Sequence, residues 1–290
     1  MTLTLIKGTF QIVGASPDGD SVRFYPTDVD AFVKAGLRVR LNSRGGAQLR
    51  LEGIDALETH YQSQAPGGGM WHQHPGLARE AADALLRQLG FRSVEREEDG
   101  TVTSASPESV PGHILTRFAD KYGRPVSFAF RGLRGRAKDG SQVHLDAKGV
   151  ANSANFELLT AGHAFPTFYS LLYLDLRQAL ADAATAARKE SAGIWEHDVS
   201  TAGFRLTSRK QLQEQVVLLP KLFRRLVDYL ALDETGGVSL AEFGRYLDTR
   251  NDRLFTTPEG QATELATLVE VKRQQLRLTI DPERIVFLEA

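Results

Sequence analysis

A succession of short segments with strand character is the feature that most restricts how this chain can fold. In each segment apolar and polar residues alternate, and residues that favour turns, chiefly Gly, Pro, Asn, Asp and Ser, separate the segments. The predicted strands are Thr2–Val13, Ser21–Tyr25, Leu37–Leu41, Ala47–Ile54, His113–Phe118 and Val126–Phe130. Because the first four follow one another without a predicted helix, they favour an antiparallel sheet or a small barrel over repeated βαβ units.

Helical periodicity and two inserts occupy the rest of this region. Amphipathic spacing predicts helices over Gly76–Leu89, Val150–Ala161 and Leu174–Ser191. Pro26–Gly36 and Arg92–Pro111 lengthen two connections, and the second insert is polar and rich in Glu and Ser, which predicts an exposed or disordered excursion.

The pattern changes near Ser200. From there on it predicts helices only, at Lys210–Leu232, Ser239–Arg250 and Glu259–Arg277. We therefore expect an α+β domain over residues 1–200, followed by a small all-helical domain over residues 201–290. One hypothesis for the second domain is that it binds a protein partner or another copy of the chain.

The composition excludes several kinds of site. The 290 residues include no cysteine, so disulfides, zinc–thiolate sites and cysteine nucleophiles are excluded. With 35 basic and 36 acidic residues the chain is not globally basic, so a nucleic-acid partner must be bound by local charge or by a metal. We recognise neither a signal peptide nor an apolar run long enough to cross a membrane. These features predict a cytoplasmic protein without membrane contact.

Side chains suited to a cation and a phosphate cluster around the predicted strand Ala47–Ile54. Arg50 lies on the polar face of this strand, and the loop that follows carries Asp55 and Glu58. Carboxylate oxygens are the ligands that calcium and magnesium prefer, and an arginine forks onto phosphate oxygens. The pattern therefore indicates a site for a hard cation and a phosphate. Two alternatives stay open, because acids also favour surface turns and an arginine beside acids also forms structural ion pairs.

Three separated motifs give residues 1–200 a resemblance to a known family. They are Asp18-Gly19-Asp20-Ser21-Val22, Arg50-Leu51-Glu52-Gly53-Ile54-Asp55-Ala56-Leu57-Glu58 and Asp120-Lys121-Tyr122-Gly123-Arg124. In this order they resemble the DGDTV, R-L-x-G-I-D-A-P-E and D-x-Y-G-R motifs of the staphylococcal nuclease (thermonuclease) family. Asn155–Ala164 and Ala187–Trp195 are similar to two further helical segments of that family. The resemblance implies an OB-type five-stranded β-barrel with packed helices.

The resemblance also implies a calcium-dependent nuclease that hydrolyses phosphodiester bonds of DNA or RNA with little sequence preference and leaves 3′-phosphate ends. It makes Asp20 and Asp55 the calcium ligands, with the Ala56 carbonyl as a third, while Glu58 orients or deprotonates the attacking water. It makes Arg50 and Arg124 the ligands of the scissile phosphate. It also implies that Lys121 and Tyr122 line the nucleotide site.

Departures from the family pattern leave an alternative function open. Leu57 stands where the family usually has proline, so we expect a less rigid loop between Asp55 and Glu58. The alternative is a non-catalytic OB-type module that binds single-stranded nucleic acid or a protein partner. A local basic run has two interpretations, a solvated hairpin or a surface that attracts a polyanion. Its members are Arg131, Arg134, Arg136 and Lys138.

Overall fold

The computed structural model describes residues 1–135 and 137–289, which form two compact units. Unit 1 consists of Met1–Ile54, Ala81–Leu158 and Tyr173–Leu180, and unit 2 consists of Asp55–Glu80, Leu159–Leu172 and Ala181–Ala290. Arg136, a member of the basic run, lies outside the described residues. Each unit therefore combines segments that are distant in sequence. Neither unit ends near Ser200, and independent folding of residues 1–200 and 201–290 stays a prediction.

The core of unit 1 is a closed β-barrel of five strands. The strands are β1 (Thr2–Phe10), β2 (Ser21–Pro26), β3 (Ala47–Leu51), β4 (Val110–Ala119) and β5 (Pro125–Arg131). They follow one another around the barrel in the order β1–β2–β3–β5–β4, and the pairing of β4 with β1 closes it. Only the pair β3–β5 among these five is parallel. The predicted α+β class and five-stranded barrel are confirmed.

Alternation along each strand decides which side chains fill the barrel. In β3, Leu49 and Leu51 are buried while Arg50 between them is partly exposed. Phe10 of β1 and Phe24 of β2 contact each other in the core, with ring centroids 5.2 Å apart. Burying one such side chain stabilises the fold by about 1.5–3 kcal/mol, and a one-residue slip of β3 would bury Arg50 instead. The hydrophobic pattern therefore fixes the register that turns Arg50 outward.

The insert Arg92–Pro111 is largely exposed, as predicted, but it forms regular structure and is not a disordered excursion. It contains an antiparallel hairpin of Ser93–Arg96 with Val102–Ser106, and β4 begins within it. Val102 is 1% exposed, which shows that an apolar residue of this polar stretch packs into the core. A further short strand, Gln142–His144, pairs with β1.

Nine α-helices lie within the described residues, and none of them is long and apolar enough to cross a membrane. They are α1 (Ala31–Lys34), α2 (Pro75–Leu89), α3 (Ala147–Val150), α4 (Ala154–Thr160), α5 (Leu174–Lys189), α6 (Arg209–Glu214), α7 (Pro220–Leu230), α8 (Phe243–Arg250) and α9 (Leu265–Leu268). Short 3₁₀ segments are Gly193–Glu196 and Pro282–Arg284. Two predicted helices correspond to α2 and α5, and the predicted helix Val150–Ala161 corresponds to the shorter α4.

Unit 2 contains strands after residue 201, so the predicted all-helical domain over residues 201–290 is wrong. One sheet has the strand order Phe168–Tyr169, Ile285–Phe287, Arg253–Thr256 and Ala262–Glu264. A second sheet has the order Phe204–Arg205, Gln275–Leu278 and Val269–Lys272. The remaining short strands are Ile54–Asp55, Tyr61–Gln62, Met70–Trp71 and Phe165–Pro166.

Competing patterns explain the two wrong helices of this region. The stretch predicted as the helix Glu259–Arg277 has helix-favouring residues, but Val271 pairs with Leu276 across a hairpin whose turn includes Arg273 at φ 57°. The predicted helix Lys210–Leu232 is divided because Pro220 lacks the N–H of a helix interior and instead begins α7.

Candidate functional site

Three of the predicted site residues lie at one edge of the barrel in unit 1. Asp20 directly precedes β2, Arg50 is near the end of β3, and Arg124 directly precedes β5. In the antiparallel pair β2–β3, Ser21 lies opposite Arg50, and the Asp20 carbonyl accepts a hydrogen bond of 2.8 Å from the β3 backbone. In the parallel pair β3–β5, Val126 lies opposite Arg50. The register therefore brings Asp20, Arg50 and Arg124 to the ends of three neighbouring strands, which we call the barrel edge.

A fully buried asparagine of α4 holds the parallel strands of this edge together. Asn155 Oδ1 accepts the Ala129 N–H at 3.0 Å, and its Nδ2 donates to the carbonyls of Glu52 and Ser127 at 2.8 and 3.1 Å. A buried amide that loses its partners costs about 1–3 kcal/mol. Asn155 therefore fixes β3 against β5 and so supports the position of Arg50.

The turn from Asp120 to Arg124 is organised by the Asp120 carboxylate. Its Oδ1 accepts the N–H groups of Tyr122 and Arg124 at 3.0 and 2.9 Å, and its Oδ2 accepts Arg124 Nε at 2.8 Å. Gly123 has φ 78°, and a Cβ there would lie 2.9 Å from Arg40, so the turn requires glycine. The Arg124 side chain remains 34% exposed. Its guanidinium is thus oriented by Asp120 and accessible from solvent.

An exposed aromatic ring lies close to two cations in this turn. The Tyr122 side chain is 58% exposed, with Lys121 Nζ 5.3 Å and Arg124 Cζ 5.6 Å from its ring centroid. Cations at these distances interact favourably with the ring face. An accessible ring beside positive charges is the combination that binds a base by stacking and its phosphates by charge.

A groove of about 690 Å³ adjoins this turn, lined by residues 36–40 and 117–123, and we call it the basic groove. One wall is residues 37–40, an irregular part of the predicted strand Leu37–Leu41. The Arg40 N–H fixes this wall by donating to the Gly123 carbonyl at 2.9 Å. The carboxylate in the lining, that of Asp120, is paired with Arg124. The basic residues of the lining are Arg38, Arg40, Arg117 and Lys121. The groove therefore carries an excess of positive charge.

In unit 2 the carboxylates of Asp55 and Glu58 are bound by an arginine of α7. Arg224 donates from Nη1 to Asp55 Oδ1 at 3.0 Å and from Nη2 to Asp55 Oδ2 at 2.6 Å, and Nη1 also donates to Glu58 Oε1. The Asp55 residue is 3% exposed, and the Arg224 side chain is 21% exposed. The bidentate geometry and the burial make this a strong ion pair. We call residues 55–58 the acid loop.

The charge of Arg224 is fixed by its surroundings. Burial alone would lower the pKa of the guanidinium, but the carboxylates of Asp55 and Glu58 outweigh burial and raise that pKa well above its ordinary value. Arg224 is therefore a permanent cation in the acid loop at every pH at which the protein is folded.

Two further side chains hold the segment that follows the acid loop. Gln73, which is fully buried, accepts the Glu58 N–H at 3.2 Å and donates to the Leu218 carbonyl at 2.8 Å. Asp228, one turn after Arg224 on α7, accepts hydrogen bonds from the Tyr61 hydroxyl, the Ser63 hydroxyl and the Gln64 N–H at 3.0, 3.0 and 2.7 Å. One face of α7 therefore binds residues 55–64 with both a cation and an anion.

The acid loop as arranged does not fit the calcium site that the resemblance implies. Calcium takes six to eight oxygen ligands, yet both oxygens of Asp55 and one of Glu58 accept hydrogen bonds from Arg224. Ala56, the predicted carbonyl ligand, is 4% exposed, and Leu57 is fully buried, so apolar packing anchors this loop. Across residues 1–135 and 137–289, no group of three His, Asp or Glu side chains is arranged to hold a metal ion.

The predicted site residues thus fall into two sets, one in each unit. Unit 1 holds Asp20, Arg50, Lys121, Tyr122 and Arg124, and unit 2 holds Asp55, Ala56 and Glu58. The sequence prediction missed Arg224 and Asp228, although both belong to an apolar helical pattern in which a buried charge indicates a partner. It also missed Arg38, Arg40 and Arg117, which the fold brings into the basic groove.

The sequence matches no protein-family model, and no curated protein is significantly similar to it. The resemblance therefore rests on the short sequence motifs alone.

Proposed function

We propose that this protein is a nuclease that binds single-stranded DNA or RNA by its phosphates on an OB-type barrel and hydrolyses the phosphodiester bond. The observation that supports this proposal best is the barrel edge, where Arg50 and Arg124 lie at the ends of two neighbouring strands although 74 positions separate them in the sequence. Guanidinium groups bind two phosphate oxygens at fixed geometry, so two of them at one edge suit a phosphodiester.

The basic groove indicates the class of substrate. Four basic side chains and the exposed ring of Tyr122 suit a flexible single strand, whose bases can leave the helical stack and lie on an aromatic face. Contacts to phosphates carry no sequence information, so we expect little sequence preference. The interaction should also weaken steeply as salt is added, because phosphate-bound counterions are released on binding.

For the hydrolytic step we assign Arg50 and Arg124, both in unit 1, as phosphate ligands. The role of Glu58 as the base is carried over from the motif resemblance alone. A water oxygen forms a bond to phosphorus while one phosphorus–oxygen bond of the diester breaks. The proton lost by the water passes to the base, and the departing oxygen takes a proton from solvent. Arg50 and Arg124 neutralise the charge that grows on the non-bridging phosphate oxygens. Arg224 donates to the Glu58 carboxylate, and Gln73 accepts the Glu58 backbone N–H, so both the side chain and the backbone of Glu58 are held in place.

Binding without cleavage is the second candidate function. The specific observation in its favour is Arg224. Its guanidinium binds both oxygens of Asp55 and neutralises the carboxylate that a catalytic cation would need as a ligand. In this form the barrel edge and the basic groove bind the strand, and the acid loop is structural.

A cleavage assay with matched binding measurements separates these candidates. Wild type and the variants Arg50→Gln, Arg124→Gln and Glu58→Gln are incubated with end-labelled single-stranded DNA and RNA, and affinity is measured by fluorescence anisotropy. We expect Glu58→Gln to lower the cleavage rate by about 10²–10⁴-fold with little loss of affinity. Either arginine variant should lose about 10²-fold in rate and also bind more weakly. Arg92→Gln, an exposed arginine of the insert hairpin, is the control and should behave like wild type.

The outcomes decide between the two functions. If the protein binds the strand in a salt-dependent way but does not cleave it, either with or without divalent cations, the nuclease proposal is rejected and the binding function is retained. Cleavage that survives unchanged in all three variants removes the assigned residues. Absence of both binding and cleavage overturns both candidates.

A further inference from the structure

The acid loop already contains a cation that belongs to the chain itself. Arg224 contributes one full positive charge, three hydrogen bonds and a planar fork matched to the carboxylate of Asp55. Because its pKa lies well above the ordinary value, neither neutral nor mildly alkaline conditions remove that charge. The Arg224 guanidinium therefore binds the carboxylates that are expected to bind a divalent ion.

The helix that carries Arg224 is fixed, so the guanidinium cannot easily withdraw. Leu222, Phe223 and Leu226, which surround it in the sequence of α7, are fully buried. The next residue, Arg225, is itself bound to Asp252 through two hydrogen bonds at Nε and Nη2. Because it is part of the same chain, the Arg224 guanidinium competes with free calcium for the two carboxylates at an effective concentration in the millimolar range or above.

We infer that Arg224 takes the place of the calcium ion at Asp55 and Glu58, so that the acid loop of this protein excludes calcium. To admit the ion, the loop would have to lose all three hydrogen bonds and leave a guanidinium without its partners, which is costly for a group only 21% exposed. Whatever the protein does with phosphates is then independent of calcium. Only this last statement rests on the proposed function; the exclusion of calcium does not.

Calcium titration calorimetry on the full chain tests the inference with a matched control. Wild type and Arg225→Gln should show no saturable calcium binding at millimolar concentrations. Arg224→Gln frees the two carboxylates and should bind calcium with a dissociation constant of about 10⁻⁴–10⁻³ M, the range of weak calcium modules. Its melting temperature should rise on adding calcium, whereas that of Arg225→Gln should not. Arg225→Gln removes an arginine of the same helix that pairs with another acid.

The variant Arg224→Lys covers the case in which Arg224→Gln does not fold. It keeps one charge but cannot bind both oxygens of Asp55, so calcium should compete more successfully than in wild type. Saturable calcium binding by wild type that disappears in Asp55→Asn overturns the inference, as does equal absence of binding in wild type, Arg224→Gln and Arg224→Lys when the variants are folded.

A parallel measurement separates this inference from the nuclease proposal. If wild type cleaves and a calcium chelator abolishes cleavage together with calcium binding at Asp55, the inference fails and the nuclease stands. If wild type neither binds calcium nor cleaves, while Arg224→Gln binds calcium, the inference stands and the nuclease fails.

Discussion

Two arginine–carboxylate clusters show how exposure changes the use of the same chemical groups. In unit 1, Arg124 pairs with Asp120 through Nε, and its side chain is 34% exposed. In unit 2, Arg224 pairs with Asp55 through both terminal nitrogens, and the two side chains are 21% and 4% exposed. The first carboxylate orients a guanidinium that solvent can reach. The second arginine neutralises acids that the fold has buried.

This difference teaches that a motif identifies residues but not their partners. The carboxylates of both clusters lie within motifs that resemble the same family, yet only the cluster in unit 1 holds an arginine of the same motif, and that arginine is accessible to a phosphate. In unit 2 the carboxylates are bound by α7, which the short motifs do not include. Residues 201–290 therefore help to build the acid loop, and the hypothesis that they bind a protein partner or another copy of the chain stays a prediction.

The largest expected effect comes from removing each arginine in turn. Arg224→Met leaves Asp55 buried without a counter-charge and should lower the free energy of unfolding by about 3 kcal/mol. Arg124→Met breaks a more exposed pair and should cost about 1 kcal/mol or less. Urea denaturation followed by circular dichroism measures both. An equal loss in the free energy of unfolding for the two variants would contradict the distinction between the buried and the exposed ion pair.

A smaller loss is expected from the anion on the same face of α7. Asp228→Ala leaves the hydroxyls of Tyr61 and Ser63 without their acceptor and should cost about 2 kcal/mol in the free energy of unfolding. Asp248→Ala, which changes an exposed acid of α8, is the control and should be within about 0.5 kcal/mol of wild type. A loss in the control as large as that in Asp228→Ala would show that α7 does not anchor the loop.

The pH dependence of stability offers a third test on α7. Burial opposes ionisation of Asp252, but Arg225 and Lys221 outweigh burial and lower its pKa from the ordinary 3.8 to about 2. Since the pKa is depressed in the folded state, its contribution of about 2 kcal/mol is present above the ordinary pKa and is lost as the pH falls toward the folded value. The stability gap between wild type and Asp252→Asn should therefore close between about pH 4 and pH 2. A gap that is constant with pH contradicts this ion-pair assignment.

The smallest effect concerns the exposed ring of unit 1. Tyr122→Ala removes a stacking face and should weaken binding of a single-stranded oligonucleotide about tenfold, which corresponds to roughly 1.4 kcal/mol. Tyr122→Phe retains the ring and should bind like wild type. Anisotropy titrations at two salt concentrations measure both variants. If Tyr122→Ala binds as tightly as Tyr122→Phe, the ring does not contact a base.

The barrel was predictable because its strands carry a period-two pattern and turn residues that agree with the fold. Leu49 and Leu51 face inward and Arg50 faces outward because apolar and polar residues alternate in the sequence of β3. The C-terminal sheets were not predictable in this way, because residues around Val271 and Leu276 have helix-favouring neighbours and become strands only through cross-strand pairing. The hairpin in the polar insert was missed for the same reason, since Val102 is one apolar residue among many polar ones.

The candidate site was predictable only in part. The motifs located the arginines and acids of the barrel edge and the acid loop. The partner of the acids could not be inferred, because Asp55 and Arg224 are 169 positions apart and no local pattern connects them. Asp228 shows the same difficulty, since a buried acid within an apolar helix indicates that a partner exists without naming it.

The long separation between the acid loop and α7 has a consequence for biosynthesis. The ribosome adds about 5–20 residues per second, so roughly ten to thirty seconds pass between the translation of Asp55 and that of Arg224. During this interval the barrel strands of unit 1 have all been made, whereas the carboxylates of the nascent loop lack their own cation. A chain truncated before Pro220 should lack Arg224 permanently, so its Asp55 and Glu58 carboxylates should be available to bind calcium.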